Sequence, residues 1–185
     1  MANYTEKAIF NAFEELLNEK PFDKITVSAI VAKSEVSANT FYYHFQDIFD
    51  LLDRWLDKKK NHYLQQTQDA ICWTDKLKVF LHAMQANPTL IYHISNSITR
   101  ERLERYVFTS AESQFYEYIE KQTADLNITN ETRKLMTSFF CYSLLGYLLK
   151  FLWVNMKVDV DTSVDNLSTI FYGALQSIVH KQQEQ

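Results

Sequence analysis

The sequence predicts an all-α chain of about nine helices, with an N-terminal three-helix helix-turn-helix domain followed by a C-terminal helical domain. Three observations carry that expectation. Only two glycines (Gly146, Gly173) and two prolines (Pro21, Pro88) occur in 185 residues, where average usage would supply roughly a dozen glycines. Sandwiches, barrels and glycine-rich phosphate loops all need that punctuation. Hydrophobic residues make up 46% and aromatic residues 15% of the chain, a composition that supports a packed core and argues against disorder. Apolar residues also recur at three- and four-residue spacing through most of the length.

The elements follow in order. Ile9, Phe13, Leu16 and Leu17 define one face of a helix over residues 4–18, with Glu14, Glu15 and Glu19 mostly on the other side. Lys20-Pro21-Phe22-Asp23 ends it, because proline cannot continue the ladder. Thr26 stands where an N-cap belongs, ahead of the two-turn helix VSAIVAKS, and Ser37 caps a second short helix, ANTFYYHF. Two short helices joined by three or four residues make a helix-turn-helix, whose second helix does the reading. Asp47 then caps a long helix running to Ile71, with Ile48, Leu51, Leu52, Trp55 and Leu56 turned back on the first three. Asp75 to Ala86 is a further helix, and Pro88 suits the first turn of the next. Residues 99–123 form a long helix, ADLNITNE is a loop, and two last helices span about 131–156 and 162–181, separated by KVDVD.

Other classes are excluded on composition and spacing. Cys72 and Cys141 lie too far apart for a CxxC metal motif or a disulfide framework, which points to a reducing compartment. The N-terminus has acidic residues among its apolar ones and no signal-peptide core. Phe139 to Val154 is apolar for 16 residues but contains Lys150, short of the roughly 18 or more that a bilayer span needs. A packed helix, no membrane partner and a cytoplasmic location are expected. No nucleophile–base spacing, paired carboxylates or phosphate loop occurs, so no enzyme, no catalytic residue and no cofactor are expected. His62, His82, His93, His180 and Cys141 show no HxxxH or CxxC spacing, and no metal site is expected.

The informative stretch is Ile25-Thr26-Val27-Ser28-Ala29-Ile30, then Val36-Ser37-Ala38-Asn39-Thr40-Phe41-Tyr42-Tyr43-His44-Phe45, then Asp50-Leu51-Leu52. Over residues 4–56, without a gap, it resembles the N-terminal DNA-binding domain of the TetR (tetracycline-repressor-like) transcriptional regulators. PFDKITVSAI and TFYYHFQDIFDLL are similar to the subgroup that includes dihydroxyacetone kinase operon regulators. The remainder resembles the family's ligand and dimerisation domain, particularly in GYLLKFLWVNM. The resemblance implies a DNA-binding domain over 1–47 and an effector-binding and dimerisation domain over 48–185. It also implies a homodimer on double-stranded operator DNA, controlled by a small-molecule effector, with repression the commonest outcome. The alternative is a co-regulator of the same fold acting mainly through a protein partner.

Elementary chemistry agrees with that implication. Unpaired N–H groups at a helix start attract phosphate, so Thr26, Ser28 and Ser37 suit backbone contacts. Asn39 can pair two-fold with adenine, and Ala38 can touch a thymine methyl. Thr40, Tyr42, Tyr43 and His44 match positions with which the family grips phosphates and groove edges. Phe41 and Phe45, four apart, face the other way and belong to the core.

Two positions depart from the family pattern. Ile48 stands where a phosphate-binding lysine is usual, and Glu35 stands where the turn usually has glycine; a side chain there costs of order 1 kcal/mol. Charge is also unfavourable for nucleic acid. The whole chain carries −4, and residues 1–60 hold eight bases against ten acids. Phosphate neutralisation supplies most non-specific affinity, so weak, salt-sensitive binding by one subunit is expected.

In the C-terminal half, Leu135, Phe139, Tyr142, Leu145 and Leu149 align along one helix, and Leu167, Ile170, Phe171, Ala174 and Ile178 along the other. Two such helices pairing with their symmetry mates make a four-helix dimer interface, with Gly146 and Ala174 allowing close approach. Trp73, Phe80, Tyr92, Phe108, Phe115, Tyr116 and Tyr142 are candidate lining for an effector pocket, although aromatics at helical spacing are more often core.

Overall fold

A computed structural model describes residues 2–66 and 72–183, and among them every regular element is helical. The order is α1 (Ala2–Glu19), a 3-10 turn (Phe22–Lys24), α2 (Val27–Ser34), α3 (Ala38–His44), α4 (Ile48–Gln66), α5 (Trp73–Ala86), α6 (Pro88–Ser95), α7 (Arg100–Gln122), α8 (Asn130–Trp153) and α9 (Val160–Gln183). Residues 67–71, expected to continue the fourth helix, lie outside the described residues. The chain divides into two compact units, Met1–Ile98 and Thr99–Gln185.

The first unit closes around one core. Ile9, Phe13 and Leu17 of α1, Ile30 of α2, Phe41 and Phe45 around α3, and Leu51, Leu52 and Trp55 of α4 are all almost fully buried. Leu90 and Ile94 of α6 belong to the same cluster, which is why this unit extends well past the first three helices. Aromatic rings tie it together edge to face: Phe10–Phe45 at 5.5 Å, Phe13–Trp55 at 6.1 Å and Phe13–Phe22 at 6.2 Å. Such pairs prefer this geometry because the positive ring edge meets the negative face.

The helix ends follow from side chains read in the sequence. Thr26 Oγ1 accepts the Ala29 amide at 3.2 Å, and Ser37 Oγ accepts the Thr40 amide at 3.0 Å. Asp47 Oδ1 accepts the Phe49 and Asp50 amides at 2.7 and 2.8 Å, while Asp50 reaches back to the Gln46 amide at 2.9 Å, a reciprocal box at the start of α4. Pro88 sits in the first turn of α6.

The second unit pairs α7 with α8 and brings α9 onto them through a ring cluster: Phe140 and Phe171 centroids are 4.0 Å apart, and Phe115 lies 5.7 Å from Phe171. Arg133 of α8 closes the end of α7 by donating to Thr123 Oγ1 and to the Thr123 carbonyl, both at 2.9 Å. The α8 boundary differs from the expected 156. The helix stops at Trp153 because Asn155 and Met156 both adopt left-handed backbone, φ 57° each. Met156 is buried at 3% and its amide bonds the Phe151 carbonyl at 2.8 Å. The next helix starts at Val160, two residues ahead of the expected 162, because Asp159 accepts the Thr162 amide at 3.0 Å. By length and composition alone α8 would suffice to cross a membrane, yet 39% of its most apolar window is buried.

Candidate nucleic-acid interface

The segment from Thr26 to His44 folds into two short helices around a tight reversal. That reversal rests on Glu35, whose backbone is left-handed (φ 55°, ψ 32°), the conformation that glycine adopts at no steric cost. Its amide bonds the Val31 carbonyl, and the Val36 amide bonds the same carbonyl at 3.3 Å, so the last turn of α2 is closed despite the side chain.

Packing decides which face of α3 meets solvent. Phe41 and Phe45 are 0% and 1% exposed, which turns Ala38, Asn39, Tyr42 and Tyr43 outward; Tyr43 is 83% exposed. Thr40 and His44 are half-buried at the edges of this face. The Ser37 and Thr40 hydroxyls lie 2.7 Å apart, and the Tyr43 ring stands edge-on to His44 at 5.2 Å. Thr26 and Ser28 are exposed at the start of α2. The nine candidate DNA-contact residues therefore occupy consecutive helix starts and the solvent-facing side and edges of α3, and an α-helix has the width that enters a major groove.

Much of the positive charge is compensated within the domain. Lys33 bridges Glu19 at 2.7 Å and Glu15 at 3.1 Å, both in α1. The Lys33 hydrogen bond and charge hold the Glu19 carboxyl below its usual range, and Glu19 with Glu15 raises Lys33 in turn. Lys24 pairs with Asp23 at 3.2 Å, Lys59 with Glu14 at 2.7 Å, and Lys58 lies over the Phe10 ring at 4.4 Å. Arg54 was legible only as one base among eight. In the fold it reaches the end of α3, a contact that no local spacing announces.

The C-terminal candidates separate into distinct places. Phe80 and Tyr92 are half-buried on α5 and α6 of the first unit. In the second unit, Phe108 and Tyr142 meet at 4.8 Å, and Tyr142 donates to Glu104 at 3.1 Å, which with the Glu104 charge raises the phenol. Tyr116 hydrogen-bonds Asn130, whereas Phe115 is buried in the ring cluster as ordinary core. Among the interface candidates, Leu135, Phe139 and Ile170 are 71%, 62% and 70% exposed. Leu149, Leu167, Ala174 and Ile178 are half-buried. Leu145 and Phe171, by contrast, point inward at 2% and 3%, because the helix face that packs on the neighbouring helices includes them. Tyr142, Gly146 and Trp153 instead complete the outer stripe of α8 with Leu135, Phe139 and Leu149, at alternating spacings of four and three. No atom lies within 4 Å of where a Cβ on Gly146 would sit. Trp73 is half-buried at the start of α5. Among the described residues no three His, Cys, Asp or Glu side chains gather at one point.

Comparison with known proteins agrees with this architecture. Residues 9–54 match the family described as bacterial regulatory proteins, tetR family, and residues 72–173, more than half of the chain, match the transcriptional regulator C-terminal region. The HTH-type dhaKLM operon transcriptional activator DhaS of Lactococcus lactis subsp. lactis (strain IL1403) is 26% identical over 83 residues, a match spanning 45% of this chain and 44% of that protein. The solved structure of a dihydroxyacetone kinase operon activator DhaS superposes with a TM-score of 0.67 at 16% identity, covering 93% of this chain and 96% of the other. A TetR transcriptional regulator from Streptococcus agalactiae 2603V gives 0.64 at 22% identity, with 94% of each chain covered. NalD of Pseudomonas aeruginosa, a secondary repressor of a multidrug efflux pump, gives 0.60 at 17% identity over 93% and 96%. With an N-terminal helix-turn-helix and a C-terminal region each matching its own family model on one continuous chain, this protein belongs to the TetR family of transcriptional regulators.

Proposed function

We propose that the chain is a homodimeric, double-stranded DNA-binding regulator that reads operator sequence with α3 and takes its signal through the helical part beyond residue 47. The observation that carries the reading is the outward set Ala38, Asn39, Tyr42 and Tyr43 on a capped helix whose other face is locked in the core. Asn39 pairs with adenine, Ala38 meets a thymine methyl, and the starts of α2 and α3 hold phosphates through Thr26, Ser28 and Ser37. Thr40, Tyr42, Tyr43 and His44 flank them on phosphates and groove edges.

Dimerisation supplies what charge does not. With Lys24, Lys33, Arg54, Lys59 and Lys60 paired to its own acids, one subunit binds duplex only weakly, at a non-specific Kd on the order of 10⁻⁴ to 10⁻⁶ M or worse. The exposed stripe of α8 repeats every seven residues, the period that lets two helices pack side by side, and α9 carries an exposed Ile170 of its own. Two reading helices on a symmetric dimer then select two half-sites about one helical turn apart. A small-molecule effector acting through the C-terminal part, with Phe108 and Tyr142 among its contacts, shifts that spacing.

The test is a mobility-shift titration on duplexes selected by the pure chain from a random-sequence library. We expect pseudo-palindromic sites and an affinity that falls steeply with salt. A flat salt slope refutes the phosphate contacts, and a monomer at micromolar concentration by sedimentation refutes the dimer. The internal charge compensation favours one second reading, a co-regulator that works mainly through a protein partner. Stronger capture of a protein from native extract than of any duplex by the pure chain supports that reading.

A further inference from the structure

The reading helix is seven residues long, too short to hold any orientation by itself. Its direction therefore depends on its anchors. Phe41 fixes the middle and Ser37 the start. At the end, the buried Phe45 ring is joined by one polar side chain from α4. Arg54, in the second turn of α4, donates through Nη1 to the carbonyl of His44, the last residue of α3. Nη2 donates to Glu6 Oε1 in α1 at 2.9 Å. The guanidinium carbon also sits 4.7 Å from the centre of the Phe45 ring, which is itself packed against Phe10 and Phe41.

We propose that Arg54 is a positioning residue for operator recognition: it sets the angle of α3 on the body of the domain without itself binding phosphate. The guanidinium is a planar fork with donors in fixed directions, so two bonds and a stacked ring fix both distance and rotation. A lysine ammonium on a flexible stem cannot make the same three contacts. Glu6 neutralises the charge, which leaves Arg54 little pull on phosphate. Because the fork belongs to α4 and its target to α3, any movement of α4 is passed directly to the residues beside Tyr42 and Tyr43. The inference rests on the reading of α3 as the DNA-contact helix.

The experiment uses the full chain, its Arg54→Lys and Arg54→Met variants, a duplex selected by the parent chain and a scrambled duplex, at temperatures well below each melting point. Both variants should lower the selected-to-scrambled affinity ratio by about tenfold or more, the scale of one lost charge-assisted hydrogen bond. The salt slope should stay unchanged. Restoration of the ratio by Arg54→Lys overturns the proposal, and so does a slope reduced by about one unit, the signature of a lost phosphate contact. Hydrogen exchange without DNA gives an independent arm. The amides of Phe41 to Phe45 should exchange at least about tenfold faster in both variants, with buried α8 amides unaffected. Unchanged exchange overturns the proposal. Failure of the parent chain to select any duplex refutes the DNA reading instead, while the exchange arm still decides what Arg54 does.

Discussion

The reading helix and the outer face of α8 handle apolar surface in opposite ways. Around α3, every large apolar side chain except the two tyrosines is taken up inside one unit, and both helix ends are tied by named side chains, Ser37 at one and Arg54 at the other. Along α8, Leu135, Phe139, Tyr142 and Trp153 stand open to solvent at more than half exposure. One region closes within its own unit, with Leu90 and Ile94 of α6 completing the core. The other stays open to solvent, and in the function proposed above a second copy covers it. A chain that completed both would have no reason to dimerise, and one that completed neither would not hold its reading helix in place.

A matched pair of phenylalanine truncations gives the sharpest way to break this contrast. Phe41→Ala removes a fully buried ring and should cost about 3–5 kcal/mol of folding stability, measured by denaturant unfolding. Phe139→Ala, on the open stripe, should leave monomer stability within about 0.5 kcal/mol. It should instead weaken the dimer by about 2 kcal/mol or more, read as a raised dissociation constant in sedimentation. Equal losses of folding stability in the two variants would erase the distinction between a closed region and an open one.

Smaller changes refine it. Ser37→Ala deletes the cap of α3 and should destabilise the first unit by about 1 kcal/mol. No loss would mean that α3 is held from its far end alone. Glu35→Gly should go the other way, stabilising by about 0.5–1 kcal/mol because the left-handed position no longer strains a side chain. It should also tighten binding to any duplex by removing a negative charge beside the phosphates; looser binding would place that turn away from DNA. The inner side of α8 should behave like the α3 core. Burial, helped by the Glu112 carboxylate, pushes the Cys141 thiol up to about 11, so at pH 8 about one part in a thousand is thiolate. Thiol reagents should therefore label half-buried Cys72 quickly and Cys141 only on unfolding. Fast labelling of both would mean that α8 is loose on both sides.

How much was legible in advance follows the same divide. Thr26, Ser37, Asp47 and Pro88 announced helix starts because a cap acts within its own three or four residues. Glu35 announced a left-handed turn because the motif around it allows only that backbone. The registers of α8 and α9 were legible only as apolar stripes, and stripe arithmetic assigned Leu145 and Phe171 to the outer face when they turn inward. A seven-residue repeat and its inner neighbour differ by one residue in sequence, and only packing against α7 and α9 decides between them. The reach of Arg54 to His44 and Glu6 was not legible at all, because it joins three helices across separations of 10 and 48 residues.

The two left-handed residues after Trp153 have a geometric consequence of their own. They fix where the chain leaves α8 and, with Met156 buried and Asp159 capping, at what rotational phase α9 begins. Adding or removing a residue in that short link would disturb both the buried seat of Met156 and the Asp159 cap, and with them the start of α9. A single insertion between Asn155 and Asp159 would have to be absorbed there without pulling Phe171 out of its ring cluster with Phe115 and Phe140. The link works as a fixed-length spacer. A single substitution along either helix alters one contact at a time, whereas a change in the length of those few residues alters every contact that α9 makes.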